Sequence, residues 1–545
     1  MTDDRPVAVS RWRVATLPHL DIYGVAILAI GLIALALRAY HLGEQSLWLD
    51  EVDEGTTAQA PFSQFFYDVR ADFGAAPLDY LGVKLVTSFL GHGTIATRSW
   101  AFAMGCISVG LIYALAVKLT RDRLVGLISA VMLATSAFHI YYSQEARFYA
   151  LPVVVAMLSL YAFVNALRAQ TAKAWFLYAC VMVLALYSHY FLAVLLPIQG
   201  LYVFGTSLWS YLANREATTA RTAAKQIGMC LAAQVGAFVA FLPWLMFALP
   251  SQVAGGYPAL PALGIDRVHQ IFVVLIGLAP LNSVHGSGIG QIVRTDIVLL
   301  LAGVGLIVSL ARRQGHVLVL AGIVALGIPL AWFSDRLGHY FWSERQVIIV
   351  LVPLYILSAL GVRYLLMALA SVVGTAAQRG WLGLPQAGWR DMRRGLEGGL
   401  ALGLMAMWAA LFWAPISMVY RDAWLTKEDW RAVAGYIQKN GCPGDRYWTF
   451  LNERYSYGFG YYDRALIPHS RFLFVAPDGS YDPSPASNVA RQGLGSRDWI
   501  VVTMGIAASP AADGTQDSVL KSLGWSSTPF RGLLVYHQRV CGATT

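Results

Sequence analysis

The chain has 545 residues, of which 57% are hydrophobic and 13% are charged, and its formal net charge is +9. A soluble domain carries about 25% charged residues, so this composition excludes an ordinary soluble protein. The basic residues stand in short groups between apolar runs and form no single patch, which argues against a nucleic-acid partner and indicates a polytopic membrane protein.

The apolar runs predict an α-helical polytopic membrane protein with about 11 spans, in a range of 9–13, because a span needs about 20 apolar residues. The predicted spans are 22–42, 97–118, 124–142, 150–168, 174–189, 191–212, 226–249, 295–311, 316–333, 346–366 and 397–418. Basic loops alternate with the others. The arginines before the first span therefore place the N-terminus, 1–21, in the cytoplasm.

Two polar regions are predicted on the outer side. The first is an acidic loop, 43–96, whose amphipathic stretches 61–70 and 78–91 are typical of helices that lie on a membrane surface. The second, 420–545, reads as a small extracytoplasmic α/β domain following the transmembrane domain, 22–419. Its predicted elements are helices at 427–439 and 515–523 and strands at 447–451, 499–503 and 533–537.

Cys442 and Cys541 bracket this C-terminal region. In an oxidising compartment they are candidates for a disulfide, although spacing alone leaves open whether they approach each other. The sequence contains no Cys-x-x-Cys pair, so the cysteines do not indicate a zinc site.

Carboxylates are massed just after the first predicted span, at Asp50, Glu51, Asp53 and Glu54. Ionisable groups at a membrane face are costly to desolvate and favour a functional interpretation. Asp50 and Glu51 are the catalytic candidates, because a base must come within hydrogen-bonding reach of an acceptor hydroxyl. Asp53 is a candidate substrate contact. The alternative is a charged loop start exposed to solvent.

A second cluster follows the span 124–142 and contains Tyr142, Glu145, Arg147 and Tyr149. The planar fork of an arginine fits a phosphate, which makes Arg147 a candidate phosphate ligand and the other three candidate substrate contacts. The alternative is an interfacial belt of aromatic residues around a Glu/Arg pair.

His189 and Arg345 stand at two further outer helix ends and are candidate ligands of the same phosphate. The alternatives are a structural histidine and an arginine that pairs with Glu344 or Asp335. Lys84 and Arg98 are weaker candidates. A divalent metal is compatible with the acidic residues, but their spacing does not require one, and no cofactor is predicted.

Four segments together resemble bacterial membrane glycosyltransferases of the GT-C superfamily, in particular the protein O-mannosyltransferases and the lipid A aminoarabinose transferases. They are 46–51 (SLWLDE), 142–150 (YSQEARFYA), 187–191 (YSHYF) and 427–433 (KEDWRAV). The resemblance implies a sugar donor on a polyprenyl phosphate, an active site facing the periplasm of a bacterial inner membrane, and a lipid or protein acceptor. It also implies inversion at the anomeric carbon.

By the same resemblance, Asp50 would be the base, Glu51 would orient it or its loop, and Arg147 and Arg345 would receive the departing phosphate. The stretch 74–78 (GAAPL) lacks the first proline and the preceding basic residue found in many relatives, so metal dependence is not carried over. Rival interpretations are a transporter or flippase of polyprenyl-linked glycans, a polysaccharide polymerase or ligase, and an envelope scaffold.

Overall fold

A computed structural model describes residues 21–72, 75–254, 265–277, 289–338, 343–379, 389–421, 428–450, 461–462, 470–473, 493–503 and 515–541. The predicted cytoplasmic N-terminus lies outside these residues, except for Asp21, whose side chain accepts a hydrogen bond from Gly24 and caps the first helix.

Helices make up most of this part of the chain. They are α1 (Ile22–Ala39), α2 (Leu49–Gln59), α3 (Phe62–Ala71), α4 (Pro77–Leu90), α5 (Thr94–Thr120), α6 (Arg123–Ala134), α7 (Ala137–Ser143), α8 (Ala150–Ala169), α9 (Ala172–Ser188), α10 (Leu195–Asn214), α11 (Ala217–Ala254), α12 (Ile265–Gly277), α13 (Ile289–Ala311), α14 (Val317–Gly338), α15 (Leu351–Gln378), α16 (Trp389–Arg421), α17 (Trp430–Asn440) and α18 (Thr515–Ser522). Short 3-10 segments, Tyr190–Val194 and Glu344–Val350, lead into α10 and α15.

Among the described residues, 8 helices are long and apolar enough to cross a membrane, or 9 if α6 and α7 count as one bent span. The shorter apolar helices α9 and Val317–Phe333 of α14 coincide with two further predicted spans. Every predicted span therefore corresponds to a helix or helix pair, and the predicted fold class, a multi-pass helical membrane protein, is confirmed. Helix α12 has a shorter apolar part, Val268–Gly277, in a region where the sequence predicts no span.

The predicted span 124–142 is not one straight helix, because α6 and α7 are bent by 63° at a break. Buried Arg38, in the last turn of α1, donates to the carbonyls of Leu133 and Ala134, each at 3.2 Å. Ser136 accepts from the backbone N–H of His139 and caps α7. These bonds add partners for backbone groups at the break, where the regular helical pattern is interrupted. The bend redirects the chain toward the first loop.

The first loop contains three helices. Two of them, α3 and α4, lie where the sequence predicts surface helices, and both expose apolar side chains such as Phe62 and Phe89. The third, α2, holds the acidic cluster and begins directly at Leu49. Lys84 donates to the carbonyls of Ala58 and Ala60 at 2.9 and 2.6 Å, so it ties the end of α2 to α4.

The C-terminal region contains a mixed five-stranded sheet of order β2-β1-β3-β5-β4. Its strands are β1 (Arg446–Phe450), β2 (Ser470–Leu473), β3 (Asp498–Thr503), β4 (Ser526–Phe530) and β5 (Leu533–His537). Strand β1 pairs in parallel with β2 and β3, whereas β5 pairs antiparallel with β3 and β4. The three predicted strands are present, and β2 and β4 are additions. The helices predicted at 427–439 and 515–523 correspond to α17 and α18.

A buried apolar cluster holds α17 against the sheet and includes Trp430 and Trp499. Cys442 and Cys541 are joined by a disulfide, with Cα atoms 5.2 Å apart. The bond connects the end of α17 to the chain beyond β5. It therefore ties the beginning of this domain to the end of its described part.

The C-terminal domain is docked on the beginning of the first loop. The backbone N–H groups of Leu47 and Arg431 donate across this contact, to the Tyr462 hydroxyl at 2.7 Å and to Ser46 Oγ at 3.2 Å. Glu428 accepts from the backbone N–H of Leu49, the first residue of α2. The domain therefore lies beside the acidic cluster.

Candidate active site

Helix α2 sorts its carboxylates by face. Asp50, in the first turn, keeps 27% of its side chain exposed, while Glu51 and Glu54 are fully buried. Asp53 is half-buried, one turn after Asp50. Adjacent residues of an α-helix do not share a face, so Asp50 and Glu51 meet different surroundings, whereas Glu54, one turn later, lies near Arg147 as Asp50 does.

Glu51 is saturated by donors inside the protein. Arg98 donates to it in a bidentate pair at 2.8 and 2.7 Å, and the backbone N–H of Ala146 donates at 2.8 Å. The backbone N–H of Trp48 adds a contact at 3.3 Å, which closes the start of α2. This geometry fits the predicted orienting role of Glu51, since both oxygens of its carboxylate already accept hydrogen bonds from the protein and are not presented to a substrate hydroxyl. Arg98, a weaker sequence candidate, is its charge partner.

The segment after α7 is clamped onto α2. Besides the bond from Ala146 to Glu51, the indole Nε1 of Trp48 donates to Glu145 at 2.9 Å. Glu145 is thus a buried partner of the first loop. The clamp fixes the two residues that precede Arg147, whose side chain lies near the carboxylates of α2.

Arg147 is surrounded by carboxylates. Its Nη1 donates to Asp72 at 2.6 Å and lies 3.9 Å from Glu54, while its Nε is 3.8 Å from the carboxylate of Asp50. The Tyr80 hydroxyl, which donates to Asp72, completes this side of the cluster at 3.3 Å from Nη1. Among the described residues, the buried Nε of Arg147 has no hydrogen-bond acceptor.

Arg345 also lies beside Asp50. Its Nη2 lies 3.8 Å from the same carboxylate oxygen that faces Arg147. Its guanidinium stacks over the ring of Tyr149 at 5.1 Å, and Tyr149 packs edge-on against Tyr142 at 5.0 Å. The two tyrosines therefore form the wall that holds Arg345 beside Asp50, through a cation–π contact.

His189 lies between α9 and the 3-10 segment that precedes α10. Its Nδ1 accepts from the backbone N–H of Phe191 at 3.1 Å, and its ring packs 5.5 Å from the ring of Phe148. The accepted bond leaves the ring proton of a neutral imidazole on Nε2. This buried Nε2 has no partner among the residues that the structure describes.

The structure thus gathers Asp50, Arg147, Arg345 and Tyr149 around one point, with Glu51 and Glu145 as supports. Sequence reasoning did not single out Asp72, Tyr80 and Asp79, which come from the end of α3 and the start of α4. The signal available was the density of acidic residues in the first loop. No cluster of three or more His, Cys, Asp or Glu side chains suited to a metal ion occurs within the described residues.

The arrangement suits a displacement reaction. A partly exposed carboxylate can accept a proton from an alcohol, and two guanidinium groups beside it can stabilise negative charge that develops on a departing phosphate. Because both arginines are largely buried, their charge acts in a medium that screens it less than water does.

Comparison with known proteins agrees with this chemistry. Residues 75–247 match the family described as dolichyl-phosphate-mannose-protein mannosyltransferase. Among curated proteins, none matches the chain in sequence.

Solved structures share the fold over nearly the whole chain. ArnT from Cupriavidus metallidurans in the apo state aligns with a TM-score of 0.58 at 13% identity, covering 94% of this chain and 97% of ArnT. The same protein bound to undecaprenyl phosphate gives a TM-score of 0.51 at 13% identity, with the same coverage. The Archaeoglobus fulgidus oligosaccharyltransferase tethered to an acceptor peptide gives 0.52 at 12% identity, covering 95% of this chain and 74% of that one.

The predicted resemblance to GT-C glycosyltransferases is therefore confirmed. The family match and the shared fold support the predicted enzyme class, a GT-C glycosyltransferase of the kind that uses lipid-phosphate sugars.

Proposed function

We propose that the protein is an inverting glycosyltransferase of a bacterial cytoplasmic membrane. It moves a sugar from a polyprenyl phosphate to a hydroxyl acceptor on the periplasmic face, either lipid A or another lipid-linked glycan, or a protein. The observation that carries this proposal is the position of the partly exposed Asp50 carboxylate, 3.8 Å from both Arg147 and Arg345.

In the proposed reaction, the acceptor oxygen attacks the anomeric carbon from the side opposite the phosphate. The bond from this carbon to the phosphate oxygen breaks, and the acceptor proton passes to Asp50. The polyprenyl phosphate leaves with one more negative charge than it had as a diester, and Arg147 and Arg345 stabilise that charge. The free Nε2–H of His189 is suited to donate to the same phosphate.

The lipid part of the donor needs an apolar path beside the site. A groove of about 990 Å³ opens between α10 and α14, and its lining is largely apolar, with Ile198 and Leu326 among its residues. Helix α10 follows directly on the 3-10 segment that starts after His189. The lining of the groove extends from Ile198 to Trp209 along α10 and includes none of the residues around Asp50, so a prenyl chain whose phosphate lies at His189 would run along α10 to enter it.

The proposed topology follows from the basic loops, since Arg5, Arg11 and Arg13 precede α1 and are expected to stay in the cytoplasm. The first loop, with Asp50, then faces the periplasm. The C-terminal domain contacts this loop through Glu428 and Arg431, so it lies on the same side and is positioned to help select the acceptor.

Transfer of radiolabelled sugar from undecaprenyl phosphate by the purified protein in lipid nanodiscs tests the proposal. Asp50→Asn removes the base but keeps the shape of the side chain, so we expect kcat to fall by about 10²–10⁴-fold with little change in the donor KM. Asp68→Asn, at a carboxylate of α3 that bonds only Gln64 among the contacts seen, is the matched control. Normal transfer by folded Asp50→Asn protein would remove Asp50 from the catalytic role.

The acceptor and the sugar are identified by mass spectrometry of envelope glycolipids and glycoproteins. A deletion strain should lack one sugar unit that the wild-type strain carries, and expression of wild-type protein, but not of Asp50→Asn, should restore it. An unchanged envelope, together with no transfer in nanodiscs from a panel of polyprenyl-phosphate sugars, would contradict the proposed function.

A further inference from the structure

Two buried carboxyl groups lie behind Arg147 and have no part in the reaction described above. Glu54 on α2 is fully buried, and Asp79 in the first turn of α4 is 1% exposed. Their side chains lie close enough for a hydrogen bond to form between them when one of the two is protonated. Both oxygens of a carboxylate are acceptors only, so such a bond requires that one of the two groups carries a proton.

The other contacts of the pair lead to the same conclusion. Trp100 Nε1 donates to Asp79 Oδ1 at 3.0 Å. Gly82 on α4 makes room for this indole, because a Cβ there would lie 2.1 Å from Trp100. Apart from their mutual contact, neither oxygen of Glu54 nor Oδ2 of Asp79 meets a donor among the described residues. A proton between the two groups gives two of these three buried atoms a partner, which buried polar groups almost always have.

The surrounding charges favour the protonated form. Burial raises the pKa of Glu54 well above its usual range, and the carboxylates of Asp79 and Asp72 raise it further, against the lowering effect of Arg147. Burial also raises the pKa of Asp79. On its own helix, Glu54 has Asp50, which is partly exposed, and Glu51, whose charge Arg98 offsets.

We propose that Glu54 and Asp79 hold one proton between them, and that this proton keeps the Arg147 guanidinium available to the departing phosphate of the donor. Glu54 is then a positioning residue. The second half of this inference rests on the proposed function, whereas the shared proton does not.

The carboxylates around Arg147 explain why Glu54 must be protonated. Asp72 already accepts from Nη1 at 2.6 Å, and Asp50 lies 3.8 Å from Nε. Glu54, at 3.9 Å from Nη1, would be a third carboxylate competing for the same cation if it were ionised. The added negative charge would also repel a donor phosphate, and like charges in a buried site interact more strongly than in water.

Infrared difference spectroscopy tests the proton directly and needs no sugar transfer. The wild-type protein in nanodiscs should show the C=O stretch of a protonated carboxylic acid, and Glu54→Gln should lack it. Asp68→Asn, which changes a carboxylate of the same loop outside the cluster, should keep it. Identical bands in wild type and Glu54→Gln would overturn the inference, as would loss of the wild-type band on adding Mn²⁺, which would mean that a divalent cation replaces the proton.

The effect on Arg147 is tested by the pH profile of transfer. Gln at position 54 mimics the protonated acid, so Glu54→Gln should keep kcat within about threefold of wild type near neutral pH. Wild-type activity should decline at alkaline pH as the proton is lost, with a rising donor KM, and this decline should be absent in Glu54→Gln. A folded Glu54→Gln protein as inactive as Asp50→Asn would overturn the positioning role.

The two readouts separate the failure of this inference from that of the proposed function. If the wild-type protein transfers no polyprenyl-linked sugar, the proposed function fails, and the infrared band still decides whether the pair holds a proton. If transfer occurs and the band is absent, only the shared proton is refuted.

Discussion

The carboxylate of Asp50 lies 3.8 Å from Nε of Arg147, although one residue belongs to the first turn of α2 and the other to the segment after the bent pair α6 and α7. The contact joins the proposed base to the proposed phosphate ligand. Glu51 supports this contact, because it accepts hydrogen bonds from Arg98 on α5 and from the backbone N–H of Ala146, the residue before Arg147. Substitutions of Asp50 or Arg147 should therefore have effects that can be distinguished from those of substituting Glu51.

Arg345 is the better test of phosphate binding, because Arg147 is also bonded to Asp72 and its loss would disturb the fold. We expect Arg345→Ala to lower kcat/KM by about 10²–10³-fold, as for removal of one donor to a developing anion. Arg345→Lys should recover only part of this, because lysine keeps the charge but loses the planar fork.

The matched control for Arg345 is Arg336→Ala, an exposed arginine that stacks over Trp332 at 5.6 Å. Steady-state transfer assays at varied donor concentration measure both variants. Equal activities of Arg345→Ala and Arg336→Ala would show that Arg345 does not meet the donor.

Glu51→Gln should act on stability more than on chemistry. The substitution leaves the buried Arg98 without its charge partner, and breaking a buried pair in this way costs about 3–5 kcal/mol. We expect a lower Tm and lower abundance in membranes, which thermal shift of the solubilised protein and quantitative blotting measure. A variant of normal Tm whose kcat falls as far as that of Asp50→Asn would instead indicate direct participation of Glu51.

Glu54 should make thermal stability depend on pH. Burial raises the pKa of Glu54 above 4.5, so the folded state keeps a proton that the unfolded state releases. The stabilisation is therefore complete below pH 4.5 and is lost as the pH rises toward the pKa of the folded protein.

The measurement is Tm as a function of pH for wild type and Glu54→Gln. Because Gln does not titrate, the Tm of the variant relative to wild type should increase with rising pH. Parallel curves would show that Glu54 has the same pKa in the folded and the unfolded protein.

The disulfide should matter for the C-terminal domain alone. It closes a sequence separation of 99 residues, and loss of such a bond typically costs about 2–5 kcal/mol. We expect Cys442→Ser to speed limited proteolysis of this domain while the transmembrane fragment persists. Cys180→Ser, at an exposed free cysteine, is the control and should leave the digestion pattern unchanged. Equal rates for the two variants would mean that the bond does not stabilise the domain.

Much of the fold could be predicted from the sequence, because crossing a membrane requires long apolar segments. Long apolar runs and alternating basic loops indicate spans, and each predicted span has its helix. The break between α6 and α7 was not readable. At this break Arg38 of α1 donates to the carbonyls of Leu133 and Ala134, a contact that forms only after the helices have packed.

The candidate site divides in the same way. By itself, the sequence determined which charged groups stand at membrane faces, since residue type and distance from an apolar run are local properties, and so it singled out Asp50, Arg147 and Arg345. Only the tertiary structure decided their roles. Whether a carboxylate is partly exposed like Asp50, paired like Glu51 or buried beside another acid like Glu54 depends on partners from distant helices, because burial and charge neighbours are set by packing.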